Sequence, residues 1–270
     1  MSVASNEMQF LDLTLATPEE NLALDESLLQ AVDGWAGASV PPDQPHSMSI
    51  SLPATDEGRP LDCQVLRIWR ATRPFIVLGR SSQAEVEVHL DRARQQGIPI
   101  LRRFSGGASV VVAPGCLLYS LLIHLDSAPG LRLLDVAHRF VMERLLRAIQ
   151  RLVPAASFEG TCDLALEGRK FSGNSLRVGR NWMLYHGTLL LDMQLSMVDE
   201  LLRHPPREPA YRSGRTHASF LTNLEVDERA LIREIREAWQ TRKELTNAPL
   251  LYIPRLVSEK YSKDTWNLLR

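Results

Sequence analysis

Lys170 is the residue of this sequence whose type most clearly suggests chemistry. Of the 31 lysines and arginines, only Lys170, Lys243, Lys260 and Lys263 are lysines, so arginine is used at every other such position through residue 242. Lys170 also stands between two glycines, in the stretch EGRKFSGNS (residues 167–175). A compact ammonium suits the neutralisation of charge at a reacting phosphate better than a bulky planar guanidinium does. The alternative is a solvated lysine in a surface turn.

Three polar residues accompany Lys170 in the same part of the chain. Asp163 precedes it by seven residues and could return beside it across a hairpin, as its ion-pair partner or as a ligand for Mg²⁺; a capping role is the simpler interpretation. Ser172 shares the glycine-rich turn. His186, before Gly187 in an apolar run, fits either a buried structural histidine or a contact to a ligand. In a site that activates a carboxylate with ATP, such a lysine would neutralise charge on the transition state and on the acyl-adenylate.

A second stretch, RRFSGGASVVVAPGC (residues 102–116), places two arginines, a serine and a glycine pair directly after an apolar strand. Glycines without Cβ atoms let backbone N–H groups point at an anion, and adjacent guanidiniums can add charge. The alternative is an ordinary tight hairpin turn. The stretch is neither a Walker loop nor a GxGxxG fingerprint. Its candidate residues are Arg102, Arg103, Ser105, Gly106 and Gly107.

The three cysteines are candidates for a nucleophile rather than for a disulfide framework. Their number is odd and no CxxC spacing occurs, so neither disulfides nor a zinc site is indicated. Cys162 adjoins Asp163, and Cys116 follows Pro114 and Gly115, but neither has a histidine beside it in sequence to activate the thiol. Plain buried thiols are the alternative.

The hydrophobic pattern predicts the helices that position these residues. Thr17 as N-cap, Pro18 at the first helical position and Glu20 three residues after the cap predict an amphipathic helix over TPEENLALDESLLQAV. AEVEVHLDRARQQG predicts a helix that ends at Gly97, and LRLLDVAHRFVMERLLRAIQRLV predicts a long helix with one buried face. SMVDELLRH and residues 227–240 predict two further helices.

Short apolar runs predict strands, among them CQVLRIWRA, FIVLG, IPILRRFS, SVVVAPGCLLYSLLIHL, DLALEG and NWMLYHGTLLLDM. Helices and strands alternate without strict βαβ spacing, which indicates an α+β fold of mixed or antiparallel sheets flanked by helices. Residues 34–62, rich in Pro, Ser, Gly and Asp, predict a flexible insertion. Residues 203–224, basic and proline-rich, predict a loop that closes over a site or meets an acidic partner, or else a plain surface connection.

Size and charge exclude several classes of protein. A chain of 270 residues with 44% hydrophobic residues can bury a sizeable core. A net charge of −1 and a pI near 6.7 give no global basis for binding nucleic acid or an anionic membrane, so we expect neither partner. No run of 18 apolar residues and no signal-peptide pattern occurs, so we expect a cytoplasmic setting.

Taken together, these segments resemble the catalytic domain of lipoate-protein ligases, a relative of the biotin-protein ligase domain. The matching segments run in order from about residue 11 to residue 224: NLALDESLL, WR with VLGRSSQ, RRFSGG, GCLLYSLLI, DLALEGRKFSGNS, YHGTLLLD and LTNL. The resemblance implies a single catalytic domain over residues 1–270, with a core over about 11–224 and a helical extension over 225–270. In that fold a mixed sheet holds an elongated tunnel for an acyl chain.

The resemblance also implies roles for individual residues. Lys170 takes the position of the lysine that binds the carboxylate and the adenylate, and Asp163 that of the aspartate before it, with Mg²⁺ as a candidate ion. The arginines and the glycine-rich loop of the family fall on Arg102, Arg103, Ser105, Gly106 and Gly107. Further acyl-binding and adenylate-binding positions fall on Asn21, Trp69, Arg70, Ser172, Gly173, His186 and Gly187.

The implied activity is the attachment of lipoic or octanoic acid, with ATP and Mg²⁺, to a lysine of a lipoyl carrier domain. Two alternatives stay open. Related octanoyl- and lipoyl-transferases use no ATP and carry the acyl group as a cysteine thioester, for which Cys162 and Cys116 are the candidates. A protein of another class would bind the acyl group or the lipoyl domain without catalysis.

The chain departs from the family pattern in two places. Ala108 stands where many members have a third glycine, and Val112 and Ala113 stand where they have a His-Asp pair, so we expect fewer ATP contacts there. Only about 46 residues follow Leu224, too few for the C-terminal accessory domain of two-part ligases. Either a separate accessory subunit supplies that domain, or adenylation is not the reaction.

Overall fold

The computed structural model describes residues 5–33 and 61–269, in which eleven strands form one large and one small sheet. The strands are β1 (Ser5–Asp12), β2 (Cys63–Arg70), β3 (Phe75–Leu78), β4 (Ile100–Arg102), β5 (Val110–Val112), β6 (Cys116–His124), β7 (Ala156–Glu159), β8 (Asp163–Leu166), β9 (Arg169–Val178), β10 (Trp182–Leu190) and β11 (Lys243–Glu244). The α-helices are α1 (Pro18–Asp33), α2 (Ala84–Glu87), α3 (Leu90–Gln95), α4 (Leu134–Gln150), α5 (Ser196–Leu201), α6 (His217–Phe220), α7 (Glu228–Ala238), α8 (Ile253–Leu256) and α9 (Asp264–Asn267). The predicted insertion over 34–62 falls almost wholly outside the described residues and stays a prediction.

The large sheet has the strand order β11-β1-β2-β6-β10-β9-β8-β7. β1 runs parallel to β11 and to β2, whereas the other neighbours are antiparallel. In the small sheet β3 lies between β4, which is parallel to it, and β5, which is antiparallel. These mixed sheets with flanking helices confirm the predicted α+β class.

Strand β6 separates two apolar layers. Leu118 and Leu122 belong to the layer that contains α1 and the small sheet, whereas Leu117 and Leu121 belong to the layer that contains α4 and α7. Successive side chains of a strand point to opposite faces, and both faces of β6 are covered. The sequence of β6, CLLYSLLIH, is therefore almost continuously apolar instead of alternating.

Helix α1 begins with the predicted capping box. The Thr17 N–H donates to the Glu20 carboxylate at 2.9 Å, and the Glu20 N–H donates to Thr17 Oγ1 at 3.2 Å. The prediction of an amphipathic helix is wrong, because the C-terminal segment covers the polar face. Glu26 is buried there, with its carboxylate 2.8 Å from Lys260 Nζ and also bonded to the Tyr261 hydroxyl.

The predicted helix that ends at Gly97 is broken into α2 and α3. Between them Val88 forms a β-bridge to Leu202, and the His89 N–H donates to the Leu201 carbonyl at 2.9 Å. This tertiary pairing overrides the local helical pattern. Gly97, with a φ of +64°, lies just after α3 as expected.

The chain beyond residue 224 packs back onto the domain. Helix α7 starts at the Asp227 cap, whose carboxylate accepts from the Ala230 N–H at 2.8 Å. Strand β11 then adds to the edge of the large sheet, so this extension is not wholly helical. Within the described ranges, no helix has the length and apolar composition needed to cross a bilayer.

Candidate active site

A pocket lies between the small sheet and the large sheet. Its apolar wall comes from both sheets, α1 and the α5–α6 region: Leu22, Trp69, Val77, Val110, Val111, Val112, Leu118, Leu190, Met193, Val198, Leu202, Phe220 and Leu221. Polar groups on the same pocket include Asp25, Arg103, Lys170, Asn174, Ser175, His186, Arg207 and Arg212. An apolar wall joined to a few converging polar groups suits an aliphatic ligand with one charged end.

The structure brings most of the predicted site residues together at this pocket. Those that line it are Trp69, Arg103, Gly107, Lys170, Ser172, Gly173, His186 and Gly187. Ser105, Gly106 and Asp163 lie directly behind them, since each is bonded to a lining residue.

Lys170 projects from β9 into the pocket and is held by an ion pair. Its Nζ lies 2.7 Å from Asp163 Oδ1, while Asp163 Oδ2 accepts from the Tyr211 hydroxyl at 2.9 Å. The lysine side chain keeps 25% of its surface exposed, against 8% for the aspartate. Lys170 is therefore a positioned cation that a ligand can still reach.

The hairpin that carries Lys170 is shaped by its glycines. Glu167 and Gly168, with φ values of +51° and +71°, form the turn between β8 and β9. Gly173 pairs with Asp163 across the hairpin, and a Cβ atom on Gly173 would lie 2.8 Å from both Cε and Nζ of Lys170. The lysine side chain thus lies across the bare backbone of this glycine.

Asp163 does not fit the predicted role of Mg²⁺ ligand. Both of its oxygens are bound by protein donors, and an ammonium 2.7 Å away repels a second cation. Among the residues that the structure describes, no group of three or more His, Cys, Asp and Glu side chains could hold a metal ion. The role observed for Asp163 is that of lysine partner.

The glycine-rich loop connects β4 and β5, which lie on opposite sides of β3, so it is not a hairpin turn. The buried Arg103 guanidinium donates to the carbonyls of Gly106 and Ala108, each at 3.0 Å. Gly107 has a φ of +88°. The carbonyl oxygen of Gly107 packs against Gly79, and a Cβ atom on Gly79 would lie only 1.8 Å from that oxygen. Arg103 therefore fixes the shape of the loop, and its hydrogen bonds are made inside the protein.

Three predicted binding residues lie outside the pocket. Arg102 is fully buried and donates to the carbonyls of Gly79, Arg80, Ser82, Trp266 and Leu269. Arg70, the last residue of β2, pairs with Asp12 and Glu228, and Asn21 Oδ1 accepts from Arg67 at 2.7 Å. These groups are saturated by the fold, which argues against direct contact with an acyl group or a nucleotide.

His186 links the glycine-rich loop to a buried ion pair. Its Nε2 lies 2.6 Å from Ser105 Oγ, and its Nδ1 lies 3.6 Å from Asp25 Oδ2. Asp25 also pairs with Arg67 at 2.6 Å and accepts from Ser120 Oγ at 2.7 Å. Burial acts to raise the pKa of Asp25, but Arg67, His186 and Ser120 bring it below its ordinary value.

Sequence reasoning missed Asp25, Arg67 and Ser120. The available signal was charge within apolar runs: Asp25 and Glu26 in NLALDESLL, and Arg67 in VLRIW. Because buried charges need partners, two such residues of opposite sign predict each other.

Asn174 is a further residue that sequence reasoning missed. Its Oδ1 accepts from the Tyr119 hydroxyl, and its Nδ2 donates to the Cys162 carbonyl at 2.7 Å and to Ser172 Oγ at 3.1 Å. A Cβ atom on Gly187 would lie 1.7 Å from Asn174 Oδ1. The glycine after His186 therefore provides room for this amide on the adjacent strand.

None of the three thiols has a lowered pKa. Burial raises the pKa of Cys63 to about 12 and that of Cys116 to about 11. Cys162 is half-buried and donates to the Asn174 carbonyl at 3.0 Å. Burial and then Asp163 raise its pKa to about 11, despite two nearby cations that act to lower it.

The segment over residues 203–224 forms one wall of the pocket and is fastened to the strand of Lys170. Besides the bond from Tyr211 to Asp163, the Thr222 N–H donates to the Lys170 carbonyl at 3.0 Å. Arg212 is buried in this wall, so it is unavailable for the predicted surface contact with an acidic partner.

Residues 17–241 match the model of the family described as lipoyl protein ligase A/B catalytic domain. The chain belongs to this family of enzymes.

Relatives of two activities align with the chain. An octanoyltransferase LipM from Anoxybacillus flavithermus is 24% identical over 97% of this chain and 98% of its own length. A lipoate–protein ligase 1 from Staphylococcus aureus is 27% identical over 72% of this chain, but only 61% of its own length is covered. Both activities therefore occur among similar proteins.

Two solved structures share the fold. A chain of the bi-partite lipoate protein ligase from Thermoplasma acidophilum, studied with its E2 lipoyl domain, superposes with a TM-score of 0.74 at 22% identity, over 98% of both chains. A lipoate-protein ligase A bound with ATP gives the same TM-score at 21% identity, over 97% of this chain and 98% of its own. At this level of identity the likeness concerns the fold.

Proposed function

We propose that this enzyme activates lipoate or octanoate with ATP and transfers the acyl group to a lysine of a lipoyl carrier domain. The observation that carries the proposal is the ammonium of Lys170, which is held 2.7 Å from Asp163 yet partly exposed in a largely apolar pocket. No thiol near it has the lowered pKa that a thioester mechanism needs, since that of Cys162 is raised to about 11.

In the first step a carboxylate oxygen of the acid attacks the α-phosphorus of ATP, and pyrophosphate leaves. Lys170 stabilises the negative charge that develops on the phosphoryl oxygens. We expect the backbone N–H groups of Gly106 and Gly107, in a loop whose Gly106 carbonyl is held by Arg103, to donate to phosphate oxygens. No step relies on Asp163 as a metal ligand.

In the second step the neutral amine of the carrier lysine attacks the carbonyl carbon of the acyl-adenylate, and AMP leaves. The amine gives up a proton as the amide forms. The acyl chain would lie along the apolar wall, between Trp69 and Leu118 of the large sheet and Val110 of the small sheet.

The partners and setting belong to the same proposal. A lipoyl carrier domain is the acceptor, and a separate accessory chain is a further partner, as in the bi-partite ligase with which this chain shares its fold. We also propose that residues 1–270 form a single catalytic domain. We expect the enzyme to work in the cytoplasm, without a nucleic acid or membrane partner.

An ATP-independent transferase is the second candidate, because the LipM relative matches over nearly its whole length. In that reaction Cys162 Sγ would attack the thioester or amide carbonyl of an acylated carrier and release that carrier's thiol or amine. The amine of another carrier would then attack the enzyme thioester and release the Cys162 thiol. The raised pKa of Cys162 weighs against it.

The deciding measurement is the intact mass of a lipoyl carrier domain after incubation with the enzyme and lipoate, with and without ATP and Mg²⁺. A parallel reaction supplies octanoyl-carrier in place of ATP and lipoate. We expect the mass gain to require ATP, to vanish in Lys170→Ala and to persist in Cys162→Ser. A gain from octanoyl-carrier alone, abolished by Cys162→Ser, would replace the ligase with the transferase.

A further inference from the structure

A second cleft lies on the side of the large sheet that faces away from the pocket. It is bounded by α4, by the end of α7 with the residues that follow it, and by the starts of β1 and β2. Its apolar lining residues Met8, Ala148 and Trp239 belong to the layer of α4 and α7, whereas the apolar wall of the pocket belongs to the layer of α1 and the small sheet. The cleft and the pocket are therefore separate sites on opposite faces of the sheet.

Four arginines line this second cleft, which we call the basic cleft. Arg144, Arg147 and Arg151 follow one another along α4 and its C-cap at spacings of three and four residues, which places them on one stripe of the helix. Arg242 comes from another element, the segment between α7 and β11. Arg147, Arg151 and Arg242 are exposed, so an incoming group can reach their guanidiniums.

Carboxylates of the protein neutralise only part of this charge. Among the described residues that line the cleft, Glu7 is the one carboxylate, and it lies 2.9 Å from Lys243 Nζ. Glu234 lies 3.1 Å from Arg151. In the described ranges the other three arginines have no carboxylate in ion-pair contact. Like charges on one face repel each other, so the array favours a partner that brings negative charge.

Arg144 is held in place by aromatic rings rather than by a counter-ion. Its Cζ lies 4.6 Å from the centre of the Phe140 ring and 4.7 Å from that of the Trp239 ring. Burial and then Arg147 lower the pKa of Arg144, but a guanidinium stays charged at neutral pH. The rings fix the side chain without cancelling its charge, so little side-chain entropy is lost when it binds an anion.

We propose that the basic cleft is a docking site for an acidic segment of a protein partner. From Arg144 to Arg151 the stripe extends about 10 Å along the helix axis. That length exceeds a single carboxylate or phosphate group, but it matches acidic side chains on successive turns of a helix or on alternate residues of a strand.

A nucleic acid also presents a row of anions, but the charge of this chain argues against it. With a net charge of −1, the protein lacks the broad positive field that draws a phosphate backbone to a surface. The occupant is therefore a protein segment rich in aspartate and glutamate. The inference goes beyond the proposed function, because no step of acyl activation takes place in this cleft.

The experiment measures the binding of labelled probes by fluorescence anisotropy. The probes are a peptide of alternating glutamate and serine, a peptide of the same length with glutamine in place of glutamate, and a single-stranded oligothymidylate. The wild-type protein is compared with Arg147→Gln/Arg242→Gln, which removes two exposed cations of the cleft. We expect the double variant to bind the glutamate peptide about fivefold or more weakly, and added salt to weaken the binding to the wild type.

Arg139→Gln/Arg233→Gln is the matched control. It removes the same charge from exposed positions of α4 and α7 that do not line the cleft, so we expect the affinity for the glutamate peptide to change less than about twofold. All four substituted side chains are exposed, so thermal melts of both variants should match that of the wild type.

Three outcomes would overturn the inference. One is an equal loss of affinity in the two double variants, and another is a glutamate peptide that binds no better than the glutamine peptide. The third is tighter binding of the oligothymidylate through the same two arginines, which would make the partner a nucleic acid.

The proposed function fails separately from this inference. Pyrophosphate exchange with lipoate should stay within about twofold of the wild-type rate in Arg147→Gln/Arg242→Gln, since the cleft and the pocket lie on opposite faces of the sheet. Loss of exchange in Lys170→Ala tests the pocket alone, whereas the peptide affinity tests the cleft alone.

Discussion

The side chain of Lys170 lies across the backbone of Gly173, so near that a Cβ atom on the glycine would be 2.8 Å from both Cε and Nζ. From the neighbouring strand, Asp163 Oδ1 holds the same ammonium at 2.7 Å. Gly173 and Asp163 are partners in the strand register, so the pairing of β8 with β9 sets both restraints at once. The hairpin of β8 and β9 therefore fixes the position of the Lys170 ammonium, although a lysine side chain is long and flexible.

Gly173→Ala should displace the ammonium while leaving the fold intact. The new methyl group would meet the end of a flexible side chain, which can move at little cost, and no positive φ is required at this position. We expect kcat/KM for acyl-adenylate formation to fall about tenfold or more and the free energy of unfolding to change by less than about 1 kcal/mol. Pyrophosphate exchange and urea titration measure the two quantities. Unchanged exchange would mean that the position of Lys170 does not limit the reaction.

Lys170→Arg should fail to replace the lysine, although it keeps the charge. A planar guanidinium is larger than an ammonium, and the lysine side chain already lies so near Gly173 that a Cβ atom there would be 2.8 Å from Nζ. We expect adenylate formation to fall about a hundredfold or more, measured by pyrophosphate exchange with saturating lipoate. Lys263→Arg, at an exposed position far along the chain, is the control and should retain wild-type rates. If Lys170→Arg were nearly as active as the control, the reaction would require only a positive charge at this position and not an ammonium group.

Cys162 should be slow to alkylate at neutral pH. Burial and the adjacent Asp163 raise the pKa of the thiol to about 11, so the thiolate is a very small fraction of the total at pH 7. We expect the rate of modification by iodoacetamide, followed by peptide mass spectrometry, to increase about tenfold per pH unit from pH 7 to pH 10. The Cys162→Ser variant provides the blank. A fast rate that is flat above pH 7 would indicate an activated thiolate and favour the transferase.

The sequence allowed the fold class and the lysine hairpin to be predicted because both depend on local signals. The capping box of Thr17 and Glu20, and the glycine-rich turn before Lys170, are encoded within a few residues and were recovered in the structure. The break between α2 and α3 was not predictable, since it depends on a bridge from Val88 to Leu202, more than a hundred residues away.

The roles of the arginines were the least predictable part of the site. Arg102 and Arg103 are adjacent to the glycine pair, yet Arg102 binds carbonyls that include those of Trp266 and Leu269, and Arg103 braces its own loop. Conversely, Arg212 belongs to the basic segment over residues 203–224, for which the sequence predicts a loop over the site or a surface connection, but it is buried in the pocket wall. Residue type gives the charge, but only the packing of distant segments decides where a long guanidinium side chain points.

The buried pair of Asp25 and Arg67 should make stability depend on pH in acid. The folded-state pKa of Asp25 is lowered, so its contribution to the free energy of unfolding is present above about pH 4 and is lost as the pH falls through the folded-state pKa. Asp25→Asn leaves the Arg67 guanidinium, 2.6 Å away, buried without its counter-charge. We expect a loss of about 3 to 5 kcal/mol at pH 7, measured by urea unfolding.

The same measurements at pH 3 should show a smaller difference between wild type and Asp25→Asn, because below the unfolded-state pKa of Asp25 the unfolded wild-type chain binds a proton that the folded protein does not. Asp12→Asn is the matched control, since Asp12 also pairs with an arginine but its side chain is 41% exposed. That variant should lose no more than about 1 kcal/mol at pH 7. A gap between wild type and Asp25→Asn that stays constant from pH 7 to pH 3 would show that folding does not lower the pKa of Asp25, against the effect expected from Arg67 and Ser120.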